Sequence, residues 1–274
     1  MAPMPTSPRR LRVLDACREG WIAFGKAPWP FLLFSLLGSL AMGAAIVPLG
    51  LGVAAMAMTP EASDLPAATL PRLVVMLASL AAVLVGVLLL GLVTLITTLG
   101  FCRGAWLALE GQRPRFADLI RWDGAAINRL VLAWTAQQLV LLLPLGLAAL
   151  ACLSPYGTGL RRPVGLPIAL LVGALLLGAL LWFAVNQCFL NPLCLFREQQ
   201  PLGAVLSGIR GVRGQWWPVA GLNGLLLAGM GVAACASANG LAIALTPAVC
   251  CINVAAYRQL FGAEDRLGLT TPRP

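Results

Sequence analysis

Five stretches of this chain carry no charged residue at all: 31–60, 73–102, 130–160, 163–196 and 214–257. An uncharged, mainly apolar run of about 20 residues is the length of a membrane-crossing helix, and few soluble folds tolerate even one. Each of the five holds at least one such helix, and the last is long enough for two. The composition agrees: 59% of residues are hydrophobic, 11% are charged and the mean hydropathy is +0.88, far outside soluble usage.

Turn signals divide the runs into six spans, at 31–58, 73–99, 130–153, about 167–190, 217 to about 236, and 241–257. The first would make about 42 Å of straight helix, so a tilt or a break at Pro48 is expected. The sixth is short and contains Pro247. Residues 59–71 and 154–162, rich in Pro and Gly, read as loops. Residues 1–10 read as a disordered basic leader and 263–274 as a polar tail.

Each hairpin is preceded by a segment of amphipathic pattern. Leu11, Leu14, Cys17 and Trp21 oppose Arg12, Asp15 and Glu19. Pro114 suits a first helical turn, with Phe116, Leu119 and Ile120 toward lipid and Asp118 complementing the dipole. Pro201 opens a third, with Leu202, Val205, Leu206, Ile209 and Val212 at helical spacing. The segments recur in a common frame. Gln112 and Pro114 correspond to Gln199 and Pro201, Ala105, Trp106 and Gly111 to Ala256, Tyr257 and Gly262, and Trp29 and Pro30 to Trp217 and Pro218. The fold expected is therefore all-α: a polytopic membrane domain over 11–262, six helices in three repeated hairpins (about 11–111, 112–198 and 199–262), each led by an interfacial helix.

The +9 net charge comes from 19 basic residues in short blocks between the spans, a topology signal rather than a nucleic-acid surface. Placing both termini in the cytoplasm puts all but Arg72, Arg161 and Arg162 inside. The multi-pass protein is thus expected in a bacterial inner membrane, with its bilayer, anionic lipids and other membrane proteins as partners. Arg113, Arg115, Arg121, Arg210 and Arg213 are the candidate lipid head-group contacts.

The chain has no His, which removes His metal sites, His-activated nucleophiles and His proton relays. No phosphate-binding loop occurs, and no cofactor is expected. The carboxylate pairs Asp15/Glu19, Asp118/Asp123 and Glu264/Asp265 lie in basic stretches and read as solvated partners of nearby Arg. Six cysteines (17, 102, 188, 194, 250, 251) read as small packing residues. Cys152 and Cys235 occupy comparable places near outer span ends, where a disulfide is the alternative.

Polar side chains at similar depth in the spans form the one remaining constellation: Ser35, Gln137, Gln138 and Asn223 in the odd spans, Thr97, Thr98, Asn186, Gln187 and Asn253 in the even ones. Amides facing hydrocarbon are costly, so these are expected to converge inside the bundle. They serve either as interhelical glue or as a cytoplasm-facing vestibule for a polar head group, built on Gln137, Gln187, Asn223 and Asn253. Residues 103–262, especially the Pro-led amphipathic segments before the spans and the closing Ala-Tyr-Arg-Gln-Leu-Phe-Gly at 256–262, resemble a broad group of bacterial multi-pass membrane proteins of unknown function, akin to the membrane domain beside glycerophosphodiester phosphodiesterase domains. The resemblance implies a helical membrane fold and carries no catalytic residues. The leading expectation is a non-enzymatic scaffold, assembly or accessory module. The alternative is a transporter or lipid-handling protein.

Overall fold

The computed structural model describes residues 10–58, 69–157, 162–197, 200–237 and 240–270, with side chains at 10–57, 73–141, 171, 173–197, 200–236 and 240–270. The leader 1–9 and residues 59–68 and 158–161 lie outside them, as do the side chains of Arg72, Arg161, Arg162 and Cys152 and with them the question of a Cys152–Cys235 pair; the ends of the two expected loops, 69–71 and 154–157, are helical and extend α3 and α5. The described residues are helical, without strands: α1 (Val13–Lys26), α2 (Pro28–Met58), α3 (Thr69–Leu109), α4 (Phe116–Ile120), α5 (Gly124–Gly157), α6 (Arg162–Gln187), α7 (Leu190–Phe196), α8 (Pro201–Arg213), α9 (Trp216–Ser237) and α10 (Gly240–Phe261). Among the described residues, five segments are long and apolar enough to cross a membrane: Pro28–Ala57, Leu73–Leu109, Gly173–Phe196, Trp216–Ala236 and Gly240–Phe261.

The long helices expose Leu and Val along most of their length, as helices solvated by lipid tails do. Attraction between such stems comes from close packing, which small residues permit. On α2 the heptad-spaced Gly38, Ala45 and Gly52 supply it. A Cβ on Gly38 would lie 2.7 Å from Thr97 Cγ2, and one on Gly52 2.7 Å from the Ser79 carbonyl; from the α3 side, Gly86 meets the Leu49 backbone. Helix α2 runs unbroken through Pro48, so the expected break is absent. The antiparallel seam with α3 holds the helix on both sides of the proline. Likewise α10 continues through Pro247 to Phe261, past the expected end of its span.

The densest packing lies at one end, hereafter the head. There α3, α7 and α10 bring Trp106, Phe196 and Tyr257 together: Trp106 stacks on Phe196 at 4.2 Å, and Tyr257 on Phe261 at 5.2 Å. Trp106 and Tyr257 are buried. Helix α3 closes with two crossed bonds, Gly111 N–H to the Ala108 carbonyl and Gln112 N–H to the Leu107 carbonyl, around a Gly111 φ of 90°. Gly262 ends α10 at φ 104°. Such a cap needs the left-handed region open to glycine.

The short helices pack on the head with three faces each. Helix α1 lays Ala16, Gly20 and Ala23 against α10 so closely that a Cβ on Gly20 would overlap the Ile252 backbone. Its Leu14 and Trp21 point outward beside exposed Arg18, and Asp15, Glu19 and Lys26 form the third face. Helix α8 buries Ala204, Val205, Gly208 and Val212 and leaves Leu202 and Leu206 exposed, so only part of its apolar stripe faces outward. Helix α4 has just five residues. Pro114 precedes it, and Asp118 accepts the Arg115 N–H at 2.8 Å. Leu119, expected toward lipid, is buried in a notch between Gly100 and Gly104 of α3, whose missing Cβ atoms make the room; Ile120 is exposed.

The segment after Gly262, expected as a polar tail, docks as far as residue 270. Arg266 N–H donates to the Phe196 carbonyl at 2.9 Å. The buried Leu269 has its carbonyl held by Arg103 Nε at 3.3 Å and Arg121 Nη2 at 2.9 Å. Arg103, also buried, donates to the Arg121 and Asp118 carbonyls at 2.6 and 3.2 Å and lies 3.9 Å from Asp123.

Candidate functional site

Where the stems enter the head, a cavity of about 230 Å³ opens between α3, the α6–α7 junction and α10. Thr97, Thr98, Phe101 and Cys102 line it from α3, Cys188, Asn191 and Pro192 from the junction, and Thr246, Val249, Cys250, Asn253 and Val254 from α10. The threonines are tolerated in apolar helices because their hydroxyls donate back to carbonyls one turn earlier. Thr97 bonds the Val93 carbonyl at 2.8 Å and Thr246 the Ala242 carbonyl at 2.9 Å. Their lone pairs stay available to a guest. Asn191 is fixed by Trp134, whose indole N–H donates to its Oδ1 at 2.8 Å. Asn253 Oδ1 is buried without a donor. Among the described residues no carboxylate, Lys or Arg lines the space.

The four vestibule candidates separate. Asn253 lines the cavity. Asn223 donates to the Val219 carbonyl at 3.0 Å, with its amide beside the Cys188 thiol at the cavity wall. Gln187 turns away: its Nε2 donates to the Val205 carbonyl of α8 at 3.1 Å, across a contact where a Cβ on Gly208 would lie 2.8 Å from the Asn186 carbonyl. Gln137 is half-buried on α5 and does not line the cavity; Gln138 is exposed. Ser35 ties α2 to α10 through the Ile243 carbonyl at 2.6 Å. The layer therefore divides into glue between helices (Ser35, Gln187), cavity wall (Thr97, Thr98, Asn253) and amides bonded within their own helix, Asn186 to the Trp182 carbonyl at 2.7 Å and Asn223. Asn191 and Thr246 complete the wall. Depth near the inner end of its span was a usable signal for Asn191 but not for Thr246, which lies toward the start of α10.

Arg113, Arg115, Arg210 and Arg213 are exposed on the head. Arg121 is half-buried, and its bond to Leu269 gives it an internal partner in place of the expected lipid contact. A second hollow, about 240 Å³, holds Glu19, Lys26 and Arg258 between α1, α3 and α10. Lys26 donates to the Ala108 carbonyl there, and Arg258 rests 5.0 Å over the Trp106 ring. Each carboxylate pair has structural partners. Asp15 faces Arg12 at 3.6 Å, Asp123 caps α5 through the Ala126 N–H at 3.0 Å, Glu264 meets Arg266 at 3.0 Å, and Asp265 accepts from Thr270 N–H and Oγ1 at 2.9 and 2.8 Å. Among the described residues no three Cys, Asp or Glu side chains are placed to hold a metal ion.

Comparison with protein-family models, curated proteins and solved structures finds no match to this chain.

Proposed function

We propose that the chain is a six-span bacterial inner-membrane protein, three hairpins with a cytoplasmic head, that handles a lipid or other amphiphile by holding its polar end in the cavity beneath the head. The observation that carries the reading is the mixed wall of Thr97, Thr98, Asn191, Thr246 and Asn253, set among apolar stems and including an amide oxygen without a donor. Polar groups at such depth are retained where they line a cavity or partner one another. The volume corresponds to about eight liquid waters at roughly 30 Å³ each, the scale of a compact head group.

Parity supports the sixth span. Arg12 N–H donates to Gln259 Oε1 at 3.1 Å, so the chain enters and leaves at the head. An even number of crossings must lie between, and α5, which starts at the head with Leu130 buried, supplies the sixth. Repetition is supported by exposed Trp29, Trp122 and Trp217 (79%, 65% and 79%) at the start of each hairpin, and by Trp106, Phe196 and Tyr257 at each return. The tryptophans suit an interfacial belt, and the basic head suits the cytoplasmic side. Exposed Arg113, Arg115, Arg210 and Arg213 then meet anionic lipid, at about 1 kcal/mol each and sensitive to salt. Reporter fusions after Gly111 and Gly262 should behave as cytoplasmic and fusions within 61–70 and 156–162 as external.

A non-enzymatic scaffold or accessory role is the second reading. It is favoured by α9, where Gly221, Gly224 and Gly231 have open space on an exposed face. Purification in mild detergent separates the two. Lipid handling predicts a retained amphiphile that Asn253→Leu releases without loss of folded protein; a scaffold predicts stoichiometric partner proteins and no dependence on Asn253.

A further inference from the structure

From the wall chemistry, and resting on the cavity-holding reading above, we infer that the cavity selects an uncharged, hydroxyl-bearing head group, such as that of a diacylglycerol or a long-chain alcohol, over a phosphate or an ammonium. Every polar atom contributed by Thr97, Thr98, Asn191, Thr246 and Asn253 is neutral, and Phe101, Pro192, Val249 and Val254 supply the rest of the wall with the thiols. A phosphate held there would be stripped of water with no cation to answer it, and an ammonium with no carboxylate. Arg103 is consumed by carbonyls and Asp123, Lys26 donates to the Ala108 carbonyl at 2.8 Å, and Arg129, whose Nε and Nη2 are buried without a partner, lies toward Cys194 of α7 and is not part of the wall.

A hydroxyl answers what the wall offers. With the hydroxyl protons of Thr97 and Thr246 committed to helix carbonyls, both side chains present lone pairs and ask for a donor. Asn253 Oδ1 asks for a donor as well; with the two ends of its amide exchanged, a buried NH₂ would lack an acceptor instead. A hydroxyl both donates and accepts, so it satisfies the amide in either orientation. Phosphate oxygens only accept, and an ammonium only donates.

The test uses the full chain in phosphatidylcholine nanodiscs and a diacylglycerol carrying a diazirine beside its glycerol, with labelled residues located by peptide mass spectrometry. Labelling is expected within 97–102 and 249–254. It should be removed by tenfold unlabelled diacylglycerol or by glycerol in the buffer, and be indifferent to tenfold phosphatidic acid. Competition by diacylglycerol alone places the ligand's source in the bilayer, and competition by glycerol alone places it in the aqueous phase; either upholds the neutral class. Phosphatidic acid competing as well as diacylglycerol overturns the class while leaving the cavity as a binding site. The pair Thr246→Val and Asn253→Leu should lower labelling about tenfold, Thr246→Ser should restore the threonine's share, and monodispersity on sizing should report folding. Labelling outside both segments, or unchanged in the folded double variant, overturns the cavity reading itself.

Discussion

Arg103 is buried at the centre of the head, and its guanidinium joins three parts of the chain: the Asp118 and Arg121 carbonyls around α4, Asp123 at the start of α5, and Leu269 in the terminal segment. Arg103→Met keeps an unbranched apolar stem and removes every donor. Breaking a buried pair from one side typically costs about 3–5 kcal/mol. The Arg121 carbonyl, at 2.6 Å, should account for more of that loss than the 3.9 Å contact with Asp123. At about 2–4 °C per kcal/mol for a chain of this size, the midpoint of thermal unfolding in detergent should fall by about 6–20 °C. Arg103→Lys should fall in between, because one ammonium cannot reach three separate carbonyls. Truncation after residue 262 removes the Leu269 acceptor, so Arg103→Met should cost less in the truncated protein, with a coupling of about 1 kcal/mol, assayed by fluorescence-detected sizing after heating. A fall under about 3 °C, or losses additive within about 0.5 kcal/mol, would refute the reasoning.

Gly20→Val places a side chain on the Ile252 backbone and should release α1, exposing it to protease and lowering stability by about 1–3 kcal/mol, whereas Gly25→Ala, with open space around it, should be neutral or slightly stabilising. Partial burial pushes the Cys17 thiol up. Its thiolate is therefore scarcer at any given pH than that of a free cysteine, and the pH midpoint of thiol labelling in a variant with Cys17 as the sole cysteine should lie above that of the same chain unfolded; an equal or lower midpoint would contradict the burial.

Uncharged runs made the spans legible because a bilayer imposes one requirement on every residue crossing it. Trp106, Tyr257 and the glycines after them were legible as a recurring exit. What went unread depends on azimuth. Helices such as α2 and α9 are apolar all round, so periodicity does not tell which side of Asn223 or Gln137 meets a neighbour. Leu119 was assigned to lipid by spacing within its own segment, but the notch that takes it belongs to Gly100 and Gly104, in another helix. The small residues Ala16, Gly20 and Ala23 carry little hydrophobic signal, although they form the face of α1 that touches α10. Arg103 read as one topology signal among nineteen basic residues, because three of its partners are backbone carbonyls, which every sequence possesses.

The cavity itself has a local cause in the chain. Of the three returning segments, α3 and α10 run continuously into the head, whereas the middle one stops at Gln187 and resumes at Leu190. Pro192 accounts for the position of the break. A continuous helix would need an N–H at 192 for the carbonyl of 188, and proline both lacks that N–H and clashes with the carbonyl. The chain steps aside at Cys188 and Phe189, and Asn191 and Pro192 form the wall facing α3 and α10. Pro192→Ala should let α6 and α7 join. In the parent Pro192 sits in the first turn of α7, where proline is tolerated, whereas inside a joined helix it would cost about 3 kcal/mol relative to alanine, so the substitution lifts the bar to joining and the variant should lose the ligand as its cavity narrows. Parental binding in Pro192→Ala would mean that the buried Phe189, held in the head against Phe261 at 5.9 Å, imposes the break by packing and the proline only accommodates it. Phe189→Ala would then be the variant that closes the space.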